Sequence, residues 1–242
     1  MNSRESASPG YDHSKHERRR RALRWLLANV GWPLFARIDL IEHADRVPDI
    51  GPAILISNHI AFVDPIVVLG HVRRNVIPIA KIESSRVPFW GMFVGMWDVI
   101  DVRRDGSDHD AVARALAVLE AGEIVLLSPE ATRSPALRQA RDGVAYLAYR
   151  SGAPVVPIAV EGTEGFPTIN PRRRMRPGAV VRFGYPLRLK PIEGRPTRDQ
   201  LRAITDEAMG RIAVMLPDHR RGVYREHADR PLVYFEEDRR GE

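Results

Sequence analysis

The chain contains no cysteine, which excludes a disulfide framework, a thiolate metal site and a cysteine nucleophile, and fits a reducing compartment. It also lacks the run of about 20 apolar residues that a bilayer-spanning helix needs. The best candidate, Trp25 to Ala36, is too short and is interrupted by Asn29, Gly31 and Pro33. No secretory signal peptide is recognisable, and the polar residues 1–16 are predicted to be disordered.

The chain is instead rich in positive charge, carried mostly by arginine. Its 242 residues have a net charge of +6 and a sequence pI of about 10.0. Such a balance favours an anionic partner: a phosphate substrate, an anionic membrane or a nucleic acid. A hydrophobic content of 44% is enough for a proper core, and the length suits one large domain or two small ones.

Arginines and large apolar residues adjoin each other near the N-terminus. Arg18 to Arg21 and Arg24 stand beside tryptophans and aliphatic residues, namely Leu23, Trp25, Leu26, Leu27, Val30, Trp32, Leu34, Phe35 and Ile38. This pattern predicts an amphipathic helical segment over residues 17–45 that lies in the membrane interface. The alternative is an ordinary helix that packs on the domain with its arginines in solvent.

Short Val- and Ile-rich runs alternate with helical patterns through residues 46–216. The predicted strands are Ala53–Ser57, Val76–Ala80, Val99–Val102, Ile124–Ser128, Val155–Val160 and Ala179–Phe183; the predicted helices are Pro65–Val72, Asp110–Ala121, Arg138–Arg150 and Thr197–Leu216. This alternation predicts an α/β domain with a largely parallel central sheet flanked by helices. Residues 217–242 are predicted to be an irregular tail that wraps the surface.

His59 and Asp64 form the first candidate pair for chemistry, because a carboxylate behind a histidine can make it a general base. Five residues on a helix turn about 500°, which leaves the two side chains roughly 140° apart. On a strand the odd offset sends them to opposite faces. The pair can therefore meet only if the chain bends, and the junction between the strand ending at Ser57 and the helix opening at Pro65 provides that bend.

A second polar cluster, Ser128 to Pro135, follows the predicted strand Ile124–Ser128. Ligand sites in open α/β sheets lie at the carboxyl ends of strands. Arg133 could clamp a phosphate, and Glu130 could accept hydrogen bonds from hydroxyl groups or fix Arg133. The alternative is a polar turn with an internal ion pair.

Four motifs in this order resemble those of the glycerolipid acyltransferases, the 1-acylglycerol-3-phosphate acyltransferase group. Asn58-His59-x4-Asp64 matches the first motif, and Val99 to Arg104 is similar to the second, an apolar strand that ends in arginine. Pro129-Glu130-Ala131-Thr132-Arg133-Ser134 is similar to the third, Pro-Glu-Gly-Thr-Arg-Ser, and Val155 to Val160 to the fourth. The resemblance covers roughly residues 50–186. Ala131 departs from the family glycine, and alanine resists a positive φ.

The resemblance implies acyl transfer from acyl-CoA or acyl carrier protein to the hydroxyl of a lysophospholipid, preferably 1-acylglycerol 3-phosphate. His59 is then the general base and Asp64 orients it, and no cofactor or metal is expected. The implied headgroup site consists of Lys81, Arg103, Arg104, Glu130, Thr132 and Arg133, with Arg104 favoured over Arg103 and Arg86 as a weaker candidate. The oxyanion donors could be backbone amides near Asn58–His59 or Pro129–Ala131.

Further expectations concern the lipid and the location. The apolar stretch Val87 to Trp97 could line a groove for acyl chains, although such a stretch is more often core. The enzyme is expected at the cytoplasmic face of the cell membrane as a peripheral protein. Alternative acceptors are glycerol 3-phosphate, a glycosylated or inositol lysolipid whose larger anionic headgroup Arg172–Arg174 could bind, or an amino lipid. A basic nucleic-acid-binding protein is a remote alternative, because it leaves His59 and Glu130 unexplained.

Overall fold

The computed structural model describes residues 11–12, 14–81, 97, 99–102 and 109–239. Its strands are β1 (Ile38–Glu42), β2 (Ala53–Ser57), β3 (Val76–Lys81), β4 (Ile100–Val102), β5 (Ile124–Leu127), β6 (Val155–Glu161), β7 (Ala179–Phe183), β8 (Leu187–Leu189) and β9 (Phe235–Glu237). Its α-helices are α1 (Ser14–Leu26), α2 (Trp32–Phe35), α3 (Asp64–His71), α4 (His109–Glu120), α5 (Gly143–Ser151), α6 (Pro171–Arg174) and α7 (Arg198–Met215).

The described strands form one sheet in the order β1-β7-β6-β2-β5-β3-β4, and β8 and β9 extend it beside β6. Strands β6, β2, β5, β3 and β4 are parallel neighbours, while β7 runs antiparallel to β6 and parallel to β1. The predicted α/β class with a largely parallel sheet is confirmed. Because of these directions, β2, β5 and β6 end at the same edge of the sheet at which β1 begins, and we call it the carboxyl edge.

Two apolar layers enclose the sheet. Successive residues of β2 alternate between them: Ile54 and Ile56 join the layer formed with α4, α5 and α7, whereas Ala53 and Leu55 join the layer formed with α1 and α3. This alternation follows from the two-residue period of a strand. Since both faces are covered, the central strands can be apolar throughout, and each buried Ile or Leu contributes about 1.5–3 kcal/mol.

The N-terminal segment differs from its prediction in two ways. Helix α1 already begins at Ser14, inside the region predicted to be disordered, and residues 38–42 form strand β1 rather than helix. A turn of π-helix, Leu27–Gly31, joins α1 to α2. The strand forms because Ile38 and Ile41 reach the core and β1 pairs in parallel with β7, a long-range contact that no local period reveals.

Helix α1 is attached to the domain by buried arginine. The Arg20 side chain is fully buried and donates hydrogen bonds to the carbonyl of Trp97, the hydroxyl of Tyr11 and Oδ1 of Asn75. Arg24 donates to the carbonyl of Arg74, and burial lowers the pKa of its guanidinium. Part of the basic cluster thus holds the helix against the protein. No helix among the described residues is both long enough and apolar enough to cross a membrane.

The other predicted elements agree with the structure to within about two residues, except the helix predicted from Arg138 and the C-terminal tail. Helix α5 begins only at Gly143, because the amides of residues 137, 138 and 141 donate to groups outside a helix, the carbonyl of Arg220, the Glu130 carboxyl and the carbonyl of Pro129. The tail is more ordered than predicted. It contains 3-10 turns, strand β9 paired with β8, and buried Tyr224 and Phe235.

Candidate active site

His59 and Asp64 meet at the carboxyl edge, immediately after β2. The chain bends through residues 60–63 and enters α3 at Asp64, so that His59 Nδ1 lies 3.0 Å from Asp64 Oδ2. The predicted bend and the predicted contact are both present. The His59 side chain is 22% exposed, whereas that of Asp64 is fully buried. Nε2 of His59 makes no hydrogen bond within the described residues, so the imidazole can still accept a proton on the accessible side.

Four hydrogen bonds hold the Asp64 carboxylate. Its Oδ2 accepts from His59 Nδ1 and from the amides of Ile60 and Ala61, at 2.7 and 2.8 Å. Its Oδ1 accepts from the hydroxyl of Thr163 at 2.5 Å. Because the carboxylate acts only as an acceptor here, Nδ1 of His59 carries the hydrogen and Nε2 has the free lone pair. Hydrogen bonds to the charged form also make this buried carboxylate tolerable.

Thr163 is a site residue that the sequence did not single out. It is fully buried, two positions after the end of β6, and it comes from a part of the chain 99 residues beyond Asp64. Threonine after a strand is commonplace, so only the rule that sites lie at the carboxyl ends of strands could have drawn attention to it.

Asn58 fixes the strand end that carries His59. Its side-chain amide donates to the carbonyl of Val160 at 2.8 Å, and its Oδ1 accepts from the amide of Val160 at 2.7 Å. The side chain thereby continues the β2–β6 ladder past the last strand residue. The backbone before His59 cannot move without breaking both hydrogen bonds, so the position of the imidazole relative to the sheet is fixed.

Glu130 contacts the backbone of His59 rather than the side chain of Arg133. Its Oε1 accepts from the amide of His59 at 3.3 Å and its Oε2 from the amide of Arg138 at 2.8 Å. Of the two roles suggested for Glu130, an ion pair with Arg133 is not present among the described residues, where these two part-buried amides are its hydrogen-bond donors. Burial raises the pKa of the Glu130 carboxyl to about 7, although both amides and the nearby His59 act to lower it.

The loop after β5 is attached to His59 from both sides. Besides the bond from the His59 amide to Glu130, the amide of Ser134 donates to the carbonyl of His59 at 2.8 Å. Ala131 takes a φ of +54°, the left-handed conformation that alanine resists. Thr132 and Arg133 are exposed, and no hydrogen bond or ion pair within the described part of the chain involves the Arg133 side chain. The Ser134 bond holds the loop that carries them close to His59.

Most of the other predicted site residues lie outside the part of the chain that the structure describes. Lys81 ends β3, but its side chain is not described, and Arg86, Arg103, Arg104 and residues 87–96 lie outside the described ranges. Trp97 is fully buried and donates from Nε1 to the carbonyl of Val76, which places this end of the apolar stretch in the core. Among the residues that are described, no group of three metal-ligating side chains is close enough to hold a metal ion.

The basic loop at residues 172–174 is used largely for structure. The Arg173 guanidinium donates to the carbonyls of Gly162, Glu164 and Pro177 and lies 3.9 Å from the ring centre of Phe166. That of Arg174 donates to carbonyls at the end of α2. Only Arg172 of the three is exposed, so the three arginines together do not form a headgroup site.

The fold is similar to that of the crystal structure of a 1-acyl-sn-glycerophosphate acyltransferase, PlsC, from Thermotoga maritima, with a TM-score of 0.59, 22% identity, and coverage of 81% of this chain and 79% of that chain. Two curated proteins named 1-acyl-sn-glycerol-3-phosphate acyltransferase are similar in sequence. The one from Chlamydomonas reinhardtii is 28% identical over 61% of this chain and 45% of its own length; the one from Borreliella burgdorferi is 25% identical over 52% of each.

A chloroplastic 1-acyl-sn-glycerol-3-phosphate acyltransferase from Arabidopsis thaliana is 31% identical over 57% of this chain and 40% of its own length. The matched region thus spans about half the length of these curated relatives. Residues 40–161, half of the chain, match the family described as Acyltransferase, and this region contains His59, Asp64 and Glu130. The chain therefore belongs to the acyltransferase family, as its motifs predicted.

Proposed function

We propose that this protein transfers a fatty acyl group from an acyl thioester, acyl-CoA or acyl carrier protein, to the free hydroxyl of a lysophospholipid, with 1-acylglycerol 3-phosphate as the preferred acceptor. The observation that carries the proposal is the His59–Asp64 contact, in which a partly exposed imidazole is backed by a fully buried carboxylate. The pair lies within the residues that match the family, which supports acyl transfer. The names of the curated relatives support the choice of acceptor.

The proposed reaction needs no covalent enzyme intermediate. Nε2 of His59 takes the proton of the acceptor hydroxyl as its oxygen attacks the thioester carbonyl, and Asp64 stabilises the imidazolium that forms. The tetrahedral intermediate then collapses, the carbon–sulfur bond breaks, and the thiolate leaves with the proton that His59 held. The products are the diacyl lipid and the free thiol of the carrier.

Two of the backbone amides that were expected to stabilise the oxyanion already donate hydrogen bonds within the protein. The amide of His59 donates to Glu130, and that of Ala131 donates to the carbonyl of Ser128 at 3.0 Å. Both amides are therefore engaged by the fold itself. We expect other donors around the 128–134 loop to contribute, because stabilisation of the developing oxyanion is usually a large part of acyl-transfer catalysis.

We propose that Arg133 and Thr132 bind the acceptor phosphate. Their loop is joined to the His59 backbone by the Ser134 amide, which keeps exposed cationic and hydroxyl groups close to the proposed base. A guanidinium suits a phosphate because its donors form a planar fork. Lys81, Arg103 and Arg104 remain predicted contributors to the same site. Glu130 is instead proposed as a residue that positions His59.

The N-terminal helix supports peripheral attachment to the cytoplasmic face of a membrane. Arg20, Leu23 and Arg24 turn toward the domain, whereas Trp25 and Leu26 are 63% and 48% exposed. Arg18, Arg19 and Arg21 are exposed on the same helix. Exposed tryptophan and leucine beside exposed arginines suit the interface of an anionic leaflet, where the lysolipid resides.

The test is acyl transfer from labelled acyl-CoA or acyl carrier protein to lysophosphatidic acid, with glycerol 3-phosphate and glycosylated, inositol and amino lysolipids as competing acceptors. We expect His59→Ala to lose nearly all turnover while its circular dichroism and melting temperature stay close to wild type. The exposed His219 provides the matched control, and His219→Ala should keep full activity. Full activity of His59→Ala would refute the base assignment, and turnover of another acceptor alone would refute the choice of lysophosphatidic acid.

A further inference from the structure

Exposed apolar side chains gather on two segments at the carboxyl edge. Leu34 and Phe35, at the end of α2, are 51% and 42% exposed, and Ile169 and Met175, on the loop between β6 and β7, are 78% and 81% exposed. Singly exposed apolar residues are common, but several that lie together mark an interaction surface. With two neighbouring basic residues they form what we call the docking face: Leu34, Phe35, Ile169, Arg172, Met175 and Arg176.

Hydrogen bonds join the two segments into one surface. The amide of Thr168 donates to the carbonyl of Phe35 at 2.6 Å. The Arg174 guanidinium donates to the carbonyls of Pro33 at 2.5 Å and Leu34 at 3.3 Å. These are carbonyls of the last helical turn, which have no partner within their own helix. The loop therefore caps α2, and the apolar side chains of both segments are held side by side.

The free charge of this surface is positive. Arg173 and Arg174 are occupied by carbonyl groups, but Arg172 and Arg176 are exposed, and within the described ranges their side chains have no ion-pair partner. The nearby carboxylates are already engaged: Asp39 accepts from Arg37 and from the amide of Gly178, and Glu164 pairs with Arg220. Apolar groups flanked by uncompensated guanidinium groups match the layered chemistry of an anionic lipid surface.

The docking face also lies at the edge that carries the proposed base. The loop that bears Ile169 and Met175 begins just after Thr163, whose hydroxyl binds Asp64. Its other segment ends just before β1, which begins at the same edge as β6 ends. A bilayer on this face would therefore adjoin the His59–Asp64 pair rather than the opposite end of the sheet.

We propose that the docking face binds the surface of an anionic bilayer, with Ile169, Met175, Leu34 and Phe35 in the interface and Arg172 and Arg176 at lipid phosphates. The proposal rests on the proposed function and extends its membrane contact from the N-terminal helix to a second segment. Two copies of this face would oppose their guanidinium groups, and nucleic acid would leave the four apolar side chains without a partner. A bilayer satisfies both kinds of group.

The test is sedimentation of the full chain with vesicles of phosphatidylcholine, with or without phosphatidylglycerol. We expect the double variant Ile169→Ser/Met175→Ser to bind anionic vesicles about tenfold more weakly, since two apolar side chains leave the interface. The double variant Arg172→Gln/Arg176→Gln should lose roughly 20-fold on anionic vesicles and little on phosphatidylcholine.

Matched controls lie at the opposite edge of the sheet. Ile50 and Val233 are 86% and 64% exposed, and Arg195 and Arg198 are exposed. Ile50→Ser/Val233→Ser and Arg195→Gln/Arg198→Gln should bind vesicles as the wild type does. Equal binding by the docking-face and control variants, or a loss of the same size in both, would overturn the proposal.

A second readout separates this proposal from the proposed function. Turnover of a short-chain lysolipid dissolved as a monomer should be unchanged in the docking-face variants, while turnover of the same headgroup in anionic vesicles should fall. If the wild type lacks acyl transfer but the variants still lose vesicle binding, the function is wrong and the docking face stands. If transfer is normal and the variants bind vesicles like the wild type, the docking face is wrong and the function stands.

Discussion

Replacing Asp64 by asparagine would remove the charge behind His59 while keeping its hydrogen bonds. Oδ2 accepts three N–H groups, from His59, Ile60 and Ala61, and Oδ1 accepts the hydroxyl of Thr163. An asparagine oxygen at the Oδ2 position keeps all three N–H bonds, and the amide NH₂ can donate to the threonine oxygen. The variant should therefore fold, and His59 should keep its hydrogen on Nδ1.

The expected loss comes from the missing charge alone. A unit negative charge about 4 Å from the imidazolium contributes about 4 kcal/mol at an effective dielectric constant of about 20. At about 1.4 kcal/mol per factor of ten, kcat should fall roughly a thousandfold. In the serine protease triad the same substitution costs about 10⁴-fold because the histidine adopts the wrong tautomer. The two backbone amides at Asp64 should prevent that additional loss here.

The assay is the initial rate of thiol release from acyl-CoA with lysophosphatidic acid as acceptor, together with thermal unfolding of each protein. Asp142→Asn is the control, because this partly exposed carboxylate pairs with Arg202 on the domain surface, and its kcat should not change. A loss smaller than tenfold in Asp64→Asn would refute electrostatic support of the imidazolium. A loss as large as that of His59→Ala would refute the retained tautomer.

Three further changes test the surroundings of the pair. Thr163→Val should lower kcat about tenfold with KM unchanged, because the variant loses one hydrogen bond to a charged group. Thr163→Ser should restore kcat in the same assay, and a change in KM alone would contradict the positioning role. Ala131→Gly should raise the free energy of unfolding, measured in urea, by about 0.5–1 kcal/mol, because the φ of Ala131 is +54°. The control Ala136→Gly should lower it, because Ala136 has no positive φ. A lower free energy of unfolding in Ala131→Gly would contradict the strain. The raised pKa of Glu130, about 7, means that the folded state holds this proton more tightly than the unfolded state, so its contribution to stability is full below about pH 4.5 and lost by about pH 7. As the pH rises through this range, the free energy of unfolding of Glu130→Gln, measured in urea, should therefore increase by up to about 3 kcal/mol relative to that of the wild type. A difference between the two proteins that does not depend on pH would refute the titration of the buried carboxyl.

Much of the core fold could be predicted from local pattern. The apolar runs at residues 53–57 and 179–183 are strands with the predicted bounds, and Thr197 caps the long helix α7 in a capping box with Gln200. These elements depend on periodicity and end chemistry, which neighbouring residues carry. Strand β1 could not be predicted in this way, because it exists through its pairing with β7, about 140 residues away.

The same division holds at the candidate site. The sequence by itself determined which side chains could do the chemistry: a histidine and an aspartate separated by a bend, and a glutamate, a threonine and an arginine after a later strand. Only the tertiary structure decided how they are used. It brought Thr163 to Asp64, directed Glu130 to the backbone of His59, and turned Arg20 inward. The reason is physical: residue type and spacing record local geometry, whereas the partner of a buried polar group is whichever donor or acceptor the packed sheet and loops bring within about 3 Å.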